Sequence, residues 1–230
     1  PDGKEDDFSD PLREDVEQML QDEEDLLNEV LSELGPVCAS RRSFNNHIGL
    51  PLTLLEASKK HHAIILEMGT SAPGEINRLA SISRPDYGII TMIGSGHLED
   101  LDSLDGVARE KYSMLKHVGT AAWIRDDGFT LPEGLGAHVH HFGRGHTLAC
   151  TEIHTDADMS TFTMEDGATF QLPMTGRHNV INSLPVIALA RQLGLDDPAI
   201  QRGFDRVTPV AGRGVRETIH GINFIDESYN

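Results

Sequence analysis

Two stretches decide the fold: His62-Ala63-Ile64-Ile65-Leu66-Glu67, and Tyr87-Gly88-Ile89-Ile90-Thr91-Met92-Ile93 with the loop Gly94-Ser95-Gly96-His97 behind it. Each is a short, nearly continuous apolar run that stops at a polar residue, as expected of a strand buried on both faces of a parallel sheet. Between them, Gly74 to Ser83 has helical periodicity, opened by Pro73 and closed by Arg84-Pro85. Beyond them, Ser103 to His117 reads as a second helix and Thr120 to Ile124 as a third strand. This alternation predicts an α/β fold with a mostly parallel sheet flanked by helices.

Upstream, Val16, Met19, Leu20, Leu26, Leu27, Val30, Leu31 and Leu34 recur at helical spacing until Gly35-Pro36 stops them. Downstream, Gly136 to Pro173 changes to short alternating stretches, among them His138 to Phe142 and Thr161 to Met164, with a turn at Glu165-Asp166-Gly167. These predict a small antiparallel flap. Helical spacing returns at His178 to Leu193, where Pro185 should interrupt and bend the helix, and again near Pro198 to Phe204. Ile219 to Ile225 reads as a last strand. The organisation expected is an acidic flexible lead-in at 1–15, a central domain at 16–218, and at 219–230 a linker with the first strand of a further domain.

The chain has 230 residues with 38% hydrophobic content, enough for an ordinary core. Of its formal charge of -18, fourteen acids against Lys4 and Arg13 place -12 within Pro1 to Leu34. Both parts repel polyanions, which argues against a nucleic-acid partner. No apolar run approaches the roughly 18 residues of a membrane span, and the acidic start is unlike a secretory signal, so a cytoplasmic location is expected. Cys38 and Cys150 have no metal-ligand spacing and read as two reduced thiols.

Parallel strands deliver their C-terminal residues to one edge of a sheet, so Glu67 and His97 should converge there although they are distant in sequence. A carboxylate and an imidazole at such an edge suit a divalent cation, and Mg2+ favours the oxygen ligand. Lys111 falls on the apolar face of its helix, which would partly desolvate the amine and raise its neutral, nucleophilic fraction. The alternatives are an ion-paired or capping Glu67, a loop His97 and a Lys111 that snorkels to solvent. The histidines His138, His140, His141, His146 and His154 form a second group. Alternation puts His138 and His140 on one strand face, but exposed flap histidines explain the group better than a transition-metal site does.

A series of ordered motifs resembles the Mur ligase family. They are Phe44-Asn45-Asn46-His47-Ile48-Gly49-Leu50-Pro51, Leu66-Glu67-Met68-Gly69, Pro73-Gly74-Glu75-Ile76, His97-Leu98-Glu99, Gly106 to Lys111, Gly176-Arg177-His178-Asn179 with Asn182, Gly212-Arg213 and Asp226-Glu227-Ser228-Tyr229-Asn230. The resemblance is strongest to the branch that adds D-alanyl-D-alanine to UDP-N-acetylmuramoyl-tripeptide. It implies an ATP-dependent amide ligase of peptidoglycan synthesis working through an acyl phosphate. Glu67, His97 and Lys111 would be catalytic and would hold Mg2+, with Lys111 carbamoylated. Asn182, Asn179, His178 and Arg213 would lie on the nucleotide side, and Asn45 and Asn46 would meet the muramoyl-peptide.

The sequence also departs from that family. Its members place a glycine-rich loop ending in Gly-Lys-Thr before the first helix, where backbone amides cradle phosphates. The only Gly-Lys here is Gly3-Lys4, followed by Glu5-Asp6-Asp7, and Met92 stands where the family often has Asn. The family's N-terminal domain and most of its C-terminal domain are missing from these 230 residues. The expectation is that this chain alone neither binds ATP tightly nor ligates. Two readings stay open: part of a working ligase, or a non-catalytic Mur-fold scaffold whose acidic helix binds a partner.

Overall fold

A computed structural model of the protein describes residues 24–41, 44–94, 101–143, 145–156 and 158–208, and the backbone of 215–219 and 222–226. The acidic lead-in, the helix expected before residue 24, His97 and Arg213 lie outside the described residues. Helix α1 (24–31) puts Leu26, Val30 and Leu31 into the core, and β1 (Val37–Ala39) follows the turn after it. Then come α2 (Gly49–Glu56), β2 (Ala63–Ile65), α3 (Glu75–Ser83), β3 (Tyr87–Ile90) and α4 (Leu104–Tyr112), which continues as a 3-10 turn over Ser113–Lys116. The strand β4 (Ala121–Arg125) comes next.

The parallel pairings agree with the expected class. β1 pairs with β2 from Val37↔Ala63 to Ala39↔Ile65, and β3 pairs with β4 from Tyr87↔Ala121 to Ile90↔Ile124. β4 shows why a continuous apolar run is needed. Ala121 and Trp123 enter one buried cluster and Ala122 and Ile124 the other, so the strand is covered on both faces.

The run His138–Phe142, expected in the antiparallel flap, is β5 of the parallel sheet, with Ala121↔His138 and Arg125↔Phe142 in register. Alternation records which face is wet and is blind to strand direction, and residues 126–137 are long enough for the crossover that a parallel pair requires. The antiparallel sheet is confined to β6 (Cys150–Thr155), β7 (Ser160–Met164) and β8 (Thr169–Leu172). Its Phe162, Met164, Phe170 and Leu172 pack in one cluster with residues of α5 (Arg177–Gln192) and with Ile200 and Phe204 of α6 (Asp197–Phe204).

α5 runs unbroken through Pro185, which corrects the expected interruption. Pro185 removes one intrahelical donor, but it is itself buried between Leu184 and Val186, and tertiary packing retains the helix. The single strand expected at Ile219–Ile225 is instead the end of β9 (Val215–Ile219) and most of β10 (Ile222–Asp226), which pair antiparallel. Cys38 and Cys150 are free. Among the described residues no helix is long and apolar enough to cross a membrane.

Candidate nucleotide and metal site

Glu67 lies two residues past β2, beyond the end of its pairing with β1. Its backbone N–H donates to Ser40 Oγ at 3.3 Å, and its Oε1 accepts from Asn45 Nδ2 at 3.0 Å. Asn45 is thus tied to the proposed metal-binding carboxylate. Asn46 does different work: its Oδ1 accepts from the Ile48 and Gly49 backbone N–H groups, both at 3.0 Å, and opens α2. The segment from Gly49 through Pro51 is helical.

Lys111 is half-buried on α4, and its Nζ donates to the Met92 carbonyl at 2.8 Å, two residues past β3. The neighbouring Glu110 fixes this helix in place. Its two oxygens accept from Gly74 N at 2.7 Å and Ile76 N at 2.8 Å, satisfying the N-terminus of α3 with a buried carboxylate. Glu67 and Lys111 accordingly both stand beyond the C-terminal ends of parallel strands, whereas His97 is outside the described residues.

Glu24, near the start of α1, was not singled out in the sequence. It is only 7% exposed. Burial, then Glu67, then Asp25 push its carboxyl up to about 7, against a smaller opposing hydrogen bond from Ser40. A second acid thus lies close enough to Glu67 to feel its charge. Only tertiary packing reveals this, because within its own helix Glu24 is one acid among many.

Of the residues expected on the nucleotide side, Asn179 and Asn182 are 6% and 1% exposed on the first turns of α5, and His178 is exposed. Asn179 Nδ2 donates to the Thr175 carbonyl at 2.8 Å. Among the described residues, Asn179 Oδ1 and both amide atoms of Asn182 have no hydrogen-bond partner. Unpaired buried amides are rare and costly, so three such atoms on one helix start mark a place where a polar ligand would be held. Arg177 and Ile181, on the adjoining face, line a cavity of about 610 Å³ with Arg125, Asp126, Asp127, Phe142 and Gly143.

Sequence reasoning missed the Arg125-Asp126-Asp127 wall. The rule that found Glu67, polar residues just after a buried strand, applies equally to the end of β4. Asp127 Oδ2 accepts from Ile93 N at 2.9 Å and its other oxygen pairs with Arg125 at 3.3 Å, linking the strand ends of β3 and β4.

Comparison with known proteins bears on the family and the fold. Residues 14–190 match the Mur ligase middle domain. UDP-N-acetylmuramoyl-tripeptide--D-alanyl-D-alanine ligase of Synechocystis is 34% identical over 214 residues, covering 90% of this chain and 46% of its own length. The Bacillus subtilis ligase of the same name is 31% identical over 213 residues, with the same two coverages of 90% and 46%. MurF from Acinetobacter baumannii superposes with a TM-score of 0.84 at 28% identity, over 92% of this chain and 49% of that one. Thermotoga maritima MurF, solved in complex with ADP, shares the fold with a TM-score of 0.76 at 23% identity. The chain spans about half the length of the curated relatives it matches. With its ordered motifs, parallel strand ends and matched residues in agreement, this chain belongs to the Mur ligase family and carries its middle domain.

Proposed function

We propose that this chain is the nucleotide-side domain of a cytoplasmic ligase acting on UDP-N-acetylmuramoyl-tripeptide. ATP phosphorylates the peptide carboxylate, and the amine of D-alanyl-D-alanine displaces phosphate from the acyl phosphate to form the amide. The observation that carries the reading is the pair Asn179 and Asn182, whose buried amide atoms lack partners on the helix that walls the cavity. Adenine offers the donors and acceptors such amides need, and Arg213 would approach the nucleotide from the segment leading to the next domain.

Glu67, with His97 and a carbamate on Lys111, would hold Mg2+, which when bound neutralises charge developing on the transferred phosphoryl group. The residues fit that task. Glu67 is oriented by Asn45, and a carbamate nitrogen on Lys111 would keep one N–H for the Met92 carbonyl. Glu110 positions Lys111 by locking α4 to α3. Further domains would supply the grip on the UDP group and on the incoming amine.

A second reading, the non-catalytic scaffold, is favoured by one specific observation: buried Glu24 beside Glu67. A buried carboxylate close to Glu67 opposes phosphate on that side of the domain. Calorimetric titration of the chain with adenosine and with Mg-ATP separates the readings. The ligase reading expects both to bind weakly, with Kd near or above about 1 mM and within about three-fold of each other, because the base side is formed while the phosphate side is acidic. Loss of adenosine binding in Asn182→Leu would support it. Micromolar Mg-ATP binding would reveal a phosphate site elsewhere. No adenosine binding at all would leave the scaffold.

A further inference from the structure

The geometry points to a second cation site, formed by Asp126, His141 and His146 and suited to a borderline transition ion such as Zn2+, at the rim where β4 and β5 end. The ligand atoms of these three residues lie within 4.8 Å of one another. His146 Nε2 sits 2.9 Å from Asp126 Oδ2, and the imidazoles of His141 and His146 stack with centroids 5.4 Å apart and planes 22° off parallel. His141 Nδ1 is buried and has no partner among the described residues. An imidazole with a buried, unpartnered ring nitrogen, gathered with a carboxylate and a second imidazole, is a ligand set whose polar capacity is not fully used, and an ion would use it.

Several features orient the group. Asp126 Oδ1 accepts from Gly128 N at 3.1 Å, which turns Oδ2 toward His146. Tetrahedral ligands with bonds of about 2 Å stand roughly 3.4 Å apart, so on binding His146 Nε2 and Asp126 Oδ2, now 2.9 Å apart, would separate slightly and the widest spacing would close by at most about 1.4 Å. Gly143 and Gly145, just before His146, carry no side chain and stand in open surroundings, so neither blocks such an adjustment. Both histidines line a depression of about 460 Å³, which gives the ion an entrance and room for water at the fourth position.

The other histidines are placed differently. His140 stacks on Trp123 at 5.7 Å, and His138 and His154 are exposed on other strand positions. The pair on one strand face, His138 and His140, is therefore not the one that gathers. The acidic partner comes from the preceding strand end, which no spacing within the histidine-rich segment could show. Two nitrogens and one oxygen favour Zn2+ or Co2+ over Mg2+, so this site stands apart from any site at Glu67 and does not depend on the ligase reading.

The test uses the tag-free 230-residue chain, titrated with Zn2+ and with Co2+ in excess Mg2+, and read by calorimetry and by the visible Co2+ spectrum. One equivalent should bind, with Co2+ bands of low coordination number. His141→Gln and His146→Ala should each weaken Zn2+ at least about ten-fold, while His138→Ala and His154→Ala leave it unchanged. Circular dichroism and a thermal melt of each variant establish that it is folded, and His146→Ala is the arm least exposed to misfolding because the ring is on a loop. The proposal fails if no stoichiometric binding is seen. It fails equally if His138→Ala or His154→Ala weakens binding as much as His141→Gln, or if the folded His146→Ala protein binds as the parent does.

Discussion

Replacing Glu24 by glutamine should stabilise the protein, increasingly so as pH rises. Glu24 is 7% exposed and its carboxyl is raised from 4.5 to about 7 by burial first and by Glu67 second. Folding therefore favours the protonated form. Below the ordinary value both folded and unfolded chains hold the proton, and nothing is lost. Between 4.5 and about 7 the unfolded chain ionises while the folded one resists, so stability falls as pH rises and levels off above that window. The full shift corresponds to roughly 3 kcal/mol, of which about 2 kcal/mol develops between about pH 5.5 and about pH 8.5. Solvent screening of the carboxylate brings that to about 1 kcal/mol or a little more.

Glutamine keeps an oxygen for the Ser40 hydrogen bond and carries no charge at any pH. Urea unfolding of parent and Glu24→Gln across this range isolates the effect, since contributions from the other acids cancel in the difference. The variant should gain on the parent as pH rises, and Glu67→Gln should shrink that gain. A difference that stays constant with pH, or that favours the parent at high pH, would refute the placement of two facing carboxylates. Mg2+ should also reduce the gain if the cation is held between them.

Three further substitutions test the site and its scaffold. Asn182→Leu should raise ligand-free stability by about 1–2 kcal/mol in a chemical melt, since it removes buried unpaired amide atoms; destabilisation would mean the amide has partners in solution. Glu110→Ala should lower stability by about 3 kcal/mol, because the Gly74 and Ile76 N–H groups both lose a charged acceptor, with hydrogen exchange quickening at those amides. Gly203→Ala should cost about 1–3 kcal/mol by denaturant unfolding, because the new Cβ would meet Val30 Cα at 2.6 Å; a gain, as Ala gives in an open helix, would show that α1 and α6 are not in close contact.

The parallel class, the strands at residues 63, 87 and 121, and the place of Glu67 beyond the end of the first were legible because buried parallel strands write an unbroken apolar run. The helices α3 and α4 were legible because apolar residues repeat with the helical period and the ends carry Pro73 and Arg84-Pro85. The direction of β5 was not, since an edge strand alternates in the same way whether it runs parallel or antiparallel to its neighbour. The hydrogen bonds of Asn46 to the Ile48 and Gly49 backbone were not legible either, since an amide that binds its own backbone and one that binds a ligand look alike in sequence.

The sequence by itself determined the family, through motifs whose order survives any uncertainty about their geometry, and the period of its apolar residues determined the layers. Only the tertiary structure decided which polar groups meet: Glu24 with Glu67, Asn45 with Glu67, and Asp126 with His141 and His146. The reason is that periodicity reports how one element faces the core. Electrostatic coupling and ligand geometry depend on distances between elements, and those are set by how the strands end side by side.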